Sequence, residues 1–139
     1  MESLKTSDYM NHRPVKFCAE MPVAEAVELL LSVKQTGGPV VDEQGTVIGF
    51  LSEADCLTQM IESTYYREQV ARVKDIMRAE VLSVKPYMSV LELAQKMLGE
   101  KPKVYPVVDD DGVLLGTISR SDVLRAIDIQ LRDAYKKAG

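Results

Sequence analysis

Two Ser/Asp pairs are the residues of this chain best suited to chemistry. Ser119 and Asp122 stand three apart in Gly116-Thr-Ile-Ser119-Arg-Ser-Asp122, and Ser52 and Asp55 in Gly49-Phe-Leu-Ser52-Glu-Ala-Asp55. Each pair lies where a short apolar strand pattern runs into a helical one. A helix start offers free backbone N–H groups and the positive end of the helix dipole, which suits an anion or a polar ligand. The same Ser-x-x-Asp spacing is also a capping box, with Asp in place of the usual Glu, and in that role it only closes off the helix. Both readings stand at this point. The motif is written twice, 67 residues apart, and duplication speaks for a repeat more firmly than for a ligand.

Other chemistry is thinly supplied. His12 is the sole histidine and lies beside Arg13 and Pro14 in an expected loop, so a His-rich metal site cannot be assembled and any catalytic set that needs a histidine has one poorly placed candidate. No Gly-rich phosphate-cradling loop is present. The chain reads as a non-enzyme that requires no cofactor. Cys18 and Cys56 do not occupy matching repeat positions, which favours free thiols in a reducing cytoplasm over a disulfide. The net charge of −4 argues against a general nucleic-acid binder but leaves room for a local basic pocket. The first residues lack the apolar core of a signal peptide, and the apolar stretches fall well short of a membrane span.

The elements that must position the two pairs repeat with them. Asp8 and Met10 return as Asp75 and Met77, Pro39-Val-Val-Asp42 as Pro106-Val-Val-Asp109, and Gly45 as Gly112, with no insertion or deletion between Asp8 and Leu57. Short strands are expected at 15–17 and 81–84. A helix follows with Val23, Ala26, Val27, Leu30 and Leu31 on one face, echoed by Val90, Leu93, Ala94, Met97 and Leu98. Ser89 with Glu92 reads as a capping box, and Pro22 takes the matching place in the first copy. A hairpin is then expected from two strands joined by a polar turn that ends in Gly45 or Gly112. The helix after Ser52 presents Ala54, Leu57, Met60 and Ile61. The helix after Ser119 presents Val123, Leu124, Ile127 and Leu131 and is expected to reach about Lys136.

Each half is therefore β-α-β-β-α, and the chain is an α+β (mixed α/β) fold of two similar units. A unit of this size buries too little surface alone, so the two sets of helix faces are expected to cover each other. The expected organisation is a loose lead-in at 1–7, repeats at 8–62 and 73–131, a linker at 63–72 that is ordered or extends a helix, and a tail at 132–139.

Two β-α-β-β-α units carrying Pro-Val-Val-Asp, then Gly, then Gly-x-x-Ser-x-x-Asp resemble a tandem pair of cystathionine-β-synthase (CBS) domains, a Bateman module. The resemblance covers about residues 6–130. It implies two pseudo-twofold-related repeats with intertwined sheets, helices of both halves at their interface, and a cleft with two sites. It also implies an adenosine-containing ligand (AMP, ADP or ATP, or S-adenosylmethionine in some members), regulation of a separate or attached partner protein, and a disc-shaped homodimer.

Carried over by residue, the resemblance implies that Asp55 and Asp122 accept hydrogen bonds from ribose hydroxyls, for which two oxygens at fixed spacing suit a vicinal diol. Ser52 and Ser119 reach ribose or phosphate. The segments before the two prolines line the adenine pocket: Thr36, Gly37, Gly38 and Pro39, and Lys103, Val104, Tyr105 and Pro106. The family pattern groups Thr36 to Pro39 with Ser119 and Asp122, and Lys103 to Pro106 with Ser52 and Asp55. Lys103, with Lys101 and Lys85 near it in sequence, is expected to carry any polyphosphate contact, and Arg120 either reaches a phosphate or points to solvent. Met21 and Met88 stand where the family often has a small polar residue. They either pack on the adenine face or fill the pocket. The alternative function is a CBS-fold dimeric scaffold whose Ser/Asp motifs only cap helices.

Overall fold

A computed structural model describes residues 4–66, 71–99 and 102–138. The elements run β1 (Phe17–Cys18), α1 (Val23–Val33), β2 (Gly37–Val41), β3 (Val47–Ser52), α2 (Glu53–Tyr66), α3 (Val73–Ile76), α4 (Val90–Gly99), β4 (Val104–Val108), β5 (Leu114–Ser119) and α5 (Arg120–Ala138). Each hairpin is folded by its Asp-to-Gly turn. Asp42 Oδ1 accepts the Gln44 and Thr46 amides, and Asp109 Oδ1 accepts those of Asp111 and Val113. Gly45 and Gly112 close the turns at φ +83° and +84°, a region costly for any residue with a Cβ.

The two hairpin turns touch across a pseudo-twofold axis. Val47 donates its amide to the Gly112 carbonyl (3.0 Å), and its repeat mate Leu114 donates to Gly45 (2.9 Å). The sheets are β1-β2-β3, with β1 parallel to β2, and β4-β5. The strand expected at 81–84 is reduced to a single parallel bridge, Val84 to Val107, in the register that Phe17 and Val40 keep in the first half.

Residues 1–7 were expected to be loose. From Leu4 onward the described residues are instead built into the second half. Leu4 is buried in its core, and Thr6, with no exposed surface, donates both its amide and its hydroxyl to the Met88 carbonyl. The start of the second repeat does the same for the first half, with Val73 buried there and its amide donated to the Met21 carbonyl. Each repeat thus lends its leading segment to the other. The exchange continues where Asn11 pairs with Thr117 on β5 and Arg78 pairs with Phe50 on β3.

This exchange corrects the expectation that facing helices clasp the halves. The core consists of two clusters, one centred on Phe17, Val40 and Leu51 and the other on Tyr105, Val107 and Ile118. Helix α1 packs with α2 and α4 with α5, each pair over its own hairpin, while β2 meets β4 between the halves. Val23, Ala26 and Leu30 are buried on α1, as are Val90, Leu93 and Met97 on α4, but Leu31 and Leu98 at the ends of those stripes are exposed. On α2 the inward residue is Cys56, and Ala54, Leu57, Met60 and Ile61 face outward. On α5 Val123 and Ala126 are buried, Ile127 packs partly against the core, and Leu124 and Leu131 are exposed. Helix α2 takes up 63–66 of the expected linker, residues 67–70 lie outside the described residues, and α5 continues to Ala138.

Candidate functional site

Both Ser/Asp pairs close as capping boxes. Ser119 donates its amide to Asp122 Oδ2 (2.9 Å), and Asp122 returns its amide to Ser119 Oγ (3.2 Å). Ser52 and Asp55 make the same exchange, and the Ser52 hydroxyl also donates to Asp55 Oδ2 at 2.8 Å. The residues between are engaged too. Arg120 donates its amide to the Lys103 carbonyl and Glu53 to that of Thr36, both at 2.9 Å. These amides of α2 and α5 are therefore spent on the protein itself, which leaves each helix start fewer donors for an anion.

The carboxylates also have cationic neighbours. Arg125 Nη1 lies 3.2 Å from Asp122 Oδ1, and Arg78 Nε lies 3.9 Å from Asp55 Oδ2. Next to Asp55, the Cys56 thiol is pushed above its usual range, first by burial and then by the Asp55 and Glu53 carboxylates. That thiol is held protonated and unreactive.

A hollow of about 610 Å³ opens beside α5. It is lined by Asn11, Lys34, Gln35, Thr36, Lys103, Val104, Thr117, Ser119, Arg120, Ser121 and Asp122. Thr36 of the first half thus meets Ser119 and Asp122 of the second, in the grouping expected. Lys103 and Val104, expected with Ser52 and Asp55, line this hollow as well; Ser52 and Asp55 do not. Gly38, Pro39, Tyr105 and Pro106 are buried strand residues that do not line the hollow. A Cβ on Gly38 would stand 2.6 Å from the Val15 carbonyl, so it serves strand packing. Met21 and Met88 pack partly buried against the first and second cores. Lys85 turns to the Asp109 carbonyl (2.9 Å), and Lys101 lies outside the described residues.

Sequence reasoning missed Asn11, Lys34, Gln35, Thr117 and Ser121. Asn11 arrives through the exchanged leading segment, which no local pattern announces. Lys34 is turned in by its left-handed backbone (φ +55°) at the end of α1, a conformation that Gly would have signalled. Among the described residues no group of three His, Cys, Asp or Glu side chains is placed to hold a metal, and no helix is long and apolar enough to cross a membrane.

The family model of the CBS domain matches the chain twice, at residues 7–62 and 73–129. The fold is similar to that of CBSX2, a CBS-pair protein from Arabidopsis thaliana, at 30% identity and a TM-score of 0.81 over 95% of this chain and 99% of that one. A second structure, of CBSX2 in complex with AMP, matches at 31% identity and a TM-score of 0.79 over 93% and 98%. The curated sequence of CBSX2, a chloroplastic protein, is 29% identical over 133 residues, and the match takes in 75% of this chain but only 54% of that protein. An uncharacterised protein of Methanocaldococcus jannaschii, MJ1426, is 23% identical over 145 residues, covering 83% of this chain and 86% of that one. The doubled match, the exchanged leading segments and the two capped Ser/Asp helix starts lead to one assignment: this chain belongs to the CBS domain family, as a tandem pair of repeats in a mixed α+β fold.

Proposed function

We propose that the chain is a sensing module that takes an adenosine-containing ligand (AMP, ADP or ATP) in the hollow beside Asp122 and relays its presence to a partner protein. The observation that carries this reading is the hollow itself. Its volume suits a small-molecule site, and it gathers Thr36, Val104, Ser119 and Asp122 from both repeats. The likeness to a CBS-pair protein solved with AMP supports the same choice of ligand. In this reading Asp122 accepts the ribose hydroxyls, Val104 packs on the base, and Ser119 and Thr36 complete the polar edge. The chain acts by binding and carries out no reaction.

The test is a thermal-shift panel of AMP, ADP, ATP, S-adenosylmethionine and NAD. A ligand at a hundred times its Kd stabilises the fold by about 2.7 kcal/mol. A shift with an adenine nucleotide that is lost in Val104→Glu supports the reading. No shift with any of the five at millimolar concentration overturns it.

A second reading has its own observation. Both Ser/Asp pairs are satisfied as helix caps, and α2 and α5 turn Leu57, Met60, Ile61, Tyr65, Leu124 and Tyr135 outward. Those faces suit a homodimeric scaffold, since outward apolar side chains at helical spacing bury well against a second copy. Sedimentation of the whole chain separates a dimer from a monomer, and the nucleotide panel decides whether the dimer is also a sensor.

A further inference from the structure

The hollow beside Asp122 collects three cationic side chains, Lys34, Lys103 and Arg120, from the end of α1, the start of β4 and the start of α5. None of the three is ion-paired with another described residue. The nearby carboxylate, Asp122, is engaged by Arg125 and by the Ser119 amide. Three unpaired positive charges around one concavity repel one another, and a multiply charged anion relieves that repulsion. The amides of Ser119, Arg120 and Asp122 are already used, so the side chains carry most of the hold on such an anion.

The twin helix start differs in sign. The residue matching Arg120 is Glu53, and the guanidinium of that side, Arg78, lies 3.9 Å from the Asp55 carboxylate. A polyanion beside Glu53 meets a negative charge where its counterpart meets a positive one.

We infer that the two sides of the pair are unequal: the hollow beside Asp122 takes nucleoside di- and triphosphates in preference to the monophosphate, through Lys34, Lys103 and Arg120. This rests on the adenine-nucleotide reading above and narrows it to a phosphate-counting site. The side chains hold the β- and γ-phosphates as point charges and, for Arg120, as a planar fork.

The experiment is titration calorimetry of the whole chain with AMP, ADP and ATP at fixed ionic strength in chelator. Each ligand is run on the natural protein and on Lys34→Gln, Lys103→Gln and Arg120→Glu. Hydrogen bonds to charged groups predict a gain of about tenfold or more in affinity from AMP to ATP, with one ATP per chain. Arg120→Glu, which copies the twin side, weakens ATP more than AMP and so removes most of that gain. All three side chains are exposed, so the variants keep the melting temperature of the natural protein within a few degrees. Equal affinity for AMP and ATP, or two equivalent ATP sites per chain, overturns the inference and leaves the nucleotide reading standing. Absence of binding by all three overturns both.

Discussion

The backbones of Asn11 and Thr117 exchange two hydrogen bonds, of 2.7 and 3.0 Å, across more than a hundred residues of chain. The exchange is permitted by Gly116, where a Cβ would stand 2.5 Å from the Asn11 carbonyl oxygen. Gly116→Ala must push the leading segment off β5. We expect a loss of about 2–3 kcal/mol in urea unfolding. Gly49→Ala, whose Cβ would meet the flexible Met77 Sδ at 2.5 Å and the Arg78 carbonyl oxygen at 2.9 Å, should cost less. Equal stability of Gly116→Ala and the natural protein would contradict the close approach.

The leading segment itself can be weighed against an outward helix face. Leu4 is buried in the second core, whereas Leu57 is 61% exposed. Leu4→Ala should cost about 2–4 kcal/mol, and Leu57→Ala under about 0.5 kcal/mol in a monomer. Denaturant midpoints check the pair. A dimer that buries α2 would reveal itself by making the Leu57→Ala loss depend on protein concentration.

Lys34 offers an effect of two signs. Its left-handed backbone at the C-cap of α1 favours Gly. Lys34→Gly should raise stability by about 0.5–1 kcal/mol while weakening ATP binding through the lost charge. A variant that is both less stable and unchanged in ATP affinity would refute the two assignments together.

The helix caps predict a cost that nucleotide cannot mask. Ser119→Ala and Ser52→Ala each remove the acceptor for one helix-start amide. A loss of about 1 kcal/mol is expected for each. Under the proposed function only Ser119→Ala also reduces nucleotide-induced stabilisation, which thermal unfolding with and without ATP would show.

Cys56 predicts a pH effect. Burial, aided by Asp55 and Glu53, raises the thiol above its ordinary value of 9.0. The folded protein keeps this proton where the unfolded chain loses it. Its contribution to stability is complete below pH 9.0 and disappears as pH rises from there through the folded-state value. The natural protein should therefore lose stability faster than Cys56→Ala on the alkaline side, as read by unfolding at a series of pH values. Parallel profiles would exclude the effect. Thiol titration should meanwhile find Cys18, which is exposed, at once and Cys56 only on unfolding.

Much of this fold was legible because the chain states it twice. The doubled Asp-to-Gly turns and the helical stripes from Val23 and Val90 depend on local spacing, and local spacing is what a sequence displays. The exchanged segments were not legible. Leu4 looks like an isolated apolar residue in polar surroundings and Val73 like one of several around it, and only a partner far along the chain gives them a core. The faces of α2 and α5 misled for a related reason. Leu57 and Leu124 follow helical periodicity, but the hairpin beneath each helix is already covered by Cys56 or by Val123 and Ala126. At the hollow, register anticipated Thr36 beside the Ser119/Asp122 pair, whereas Lys103 and Val104 were expected with Ser52 and Asp55, and Gly38, Pro39, Tyr105 and Pro106 belong to buried strand interiors.

The traded leading segments bear on how such a pair assembles. A single repeat of this design is incomplete in solution, because the arm that finishes its sheet belongs to another copy. Joining two repeats in one polypeptide turns a meeting of molecules into loop closure, at an effective concentration in the millimolar range. Folding of the pair is thereby freed from dilution, and a cut between the repeats would hand that dependence back.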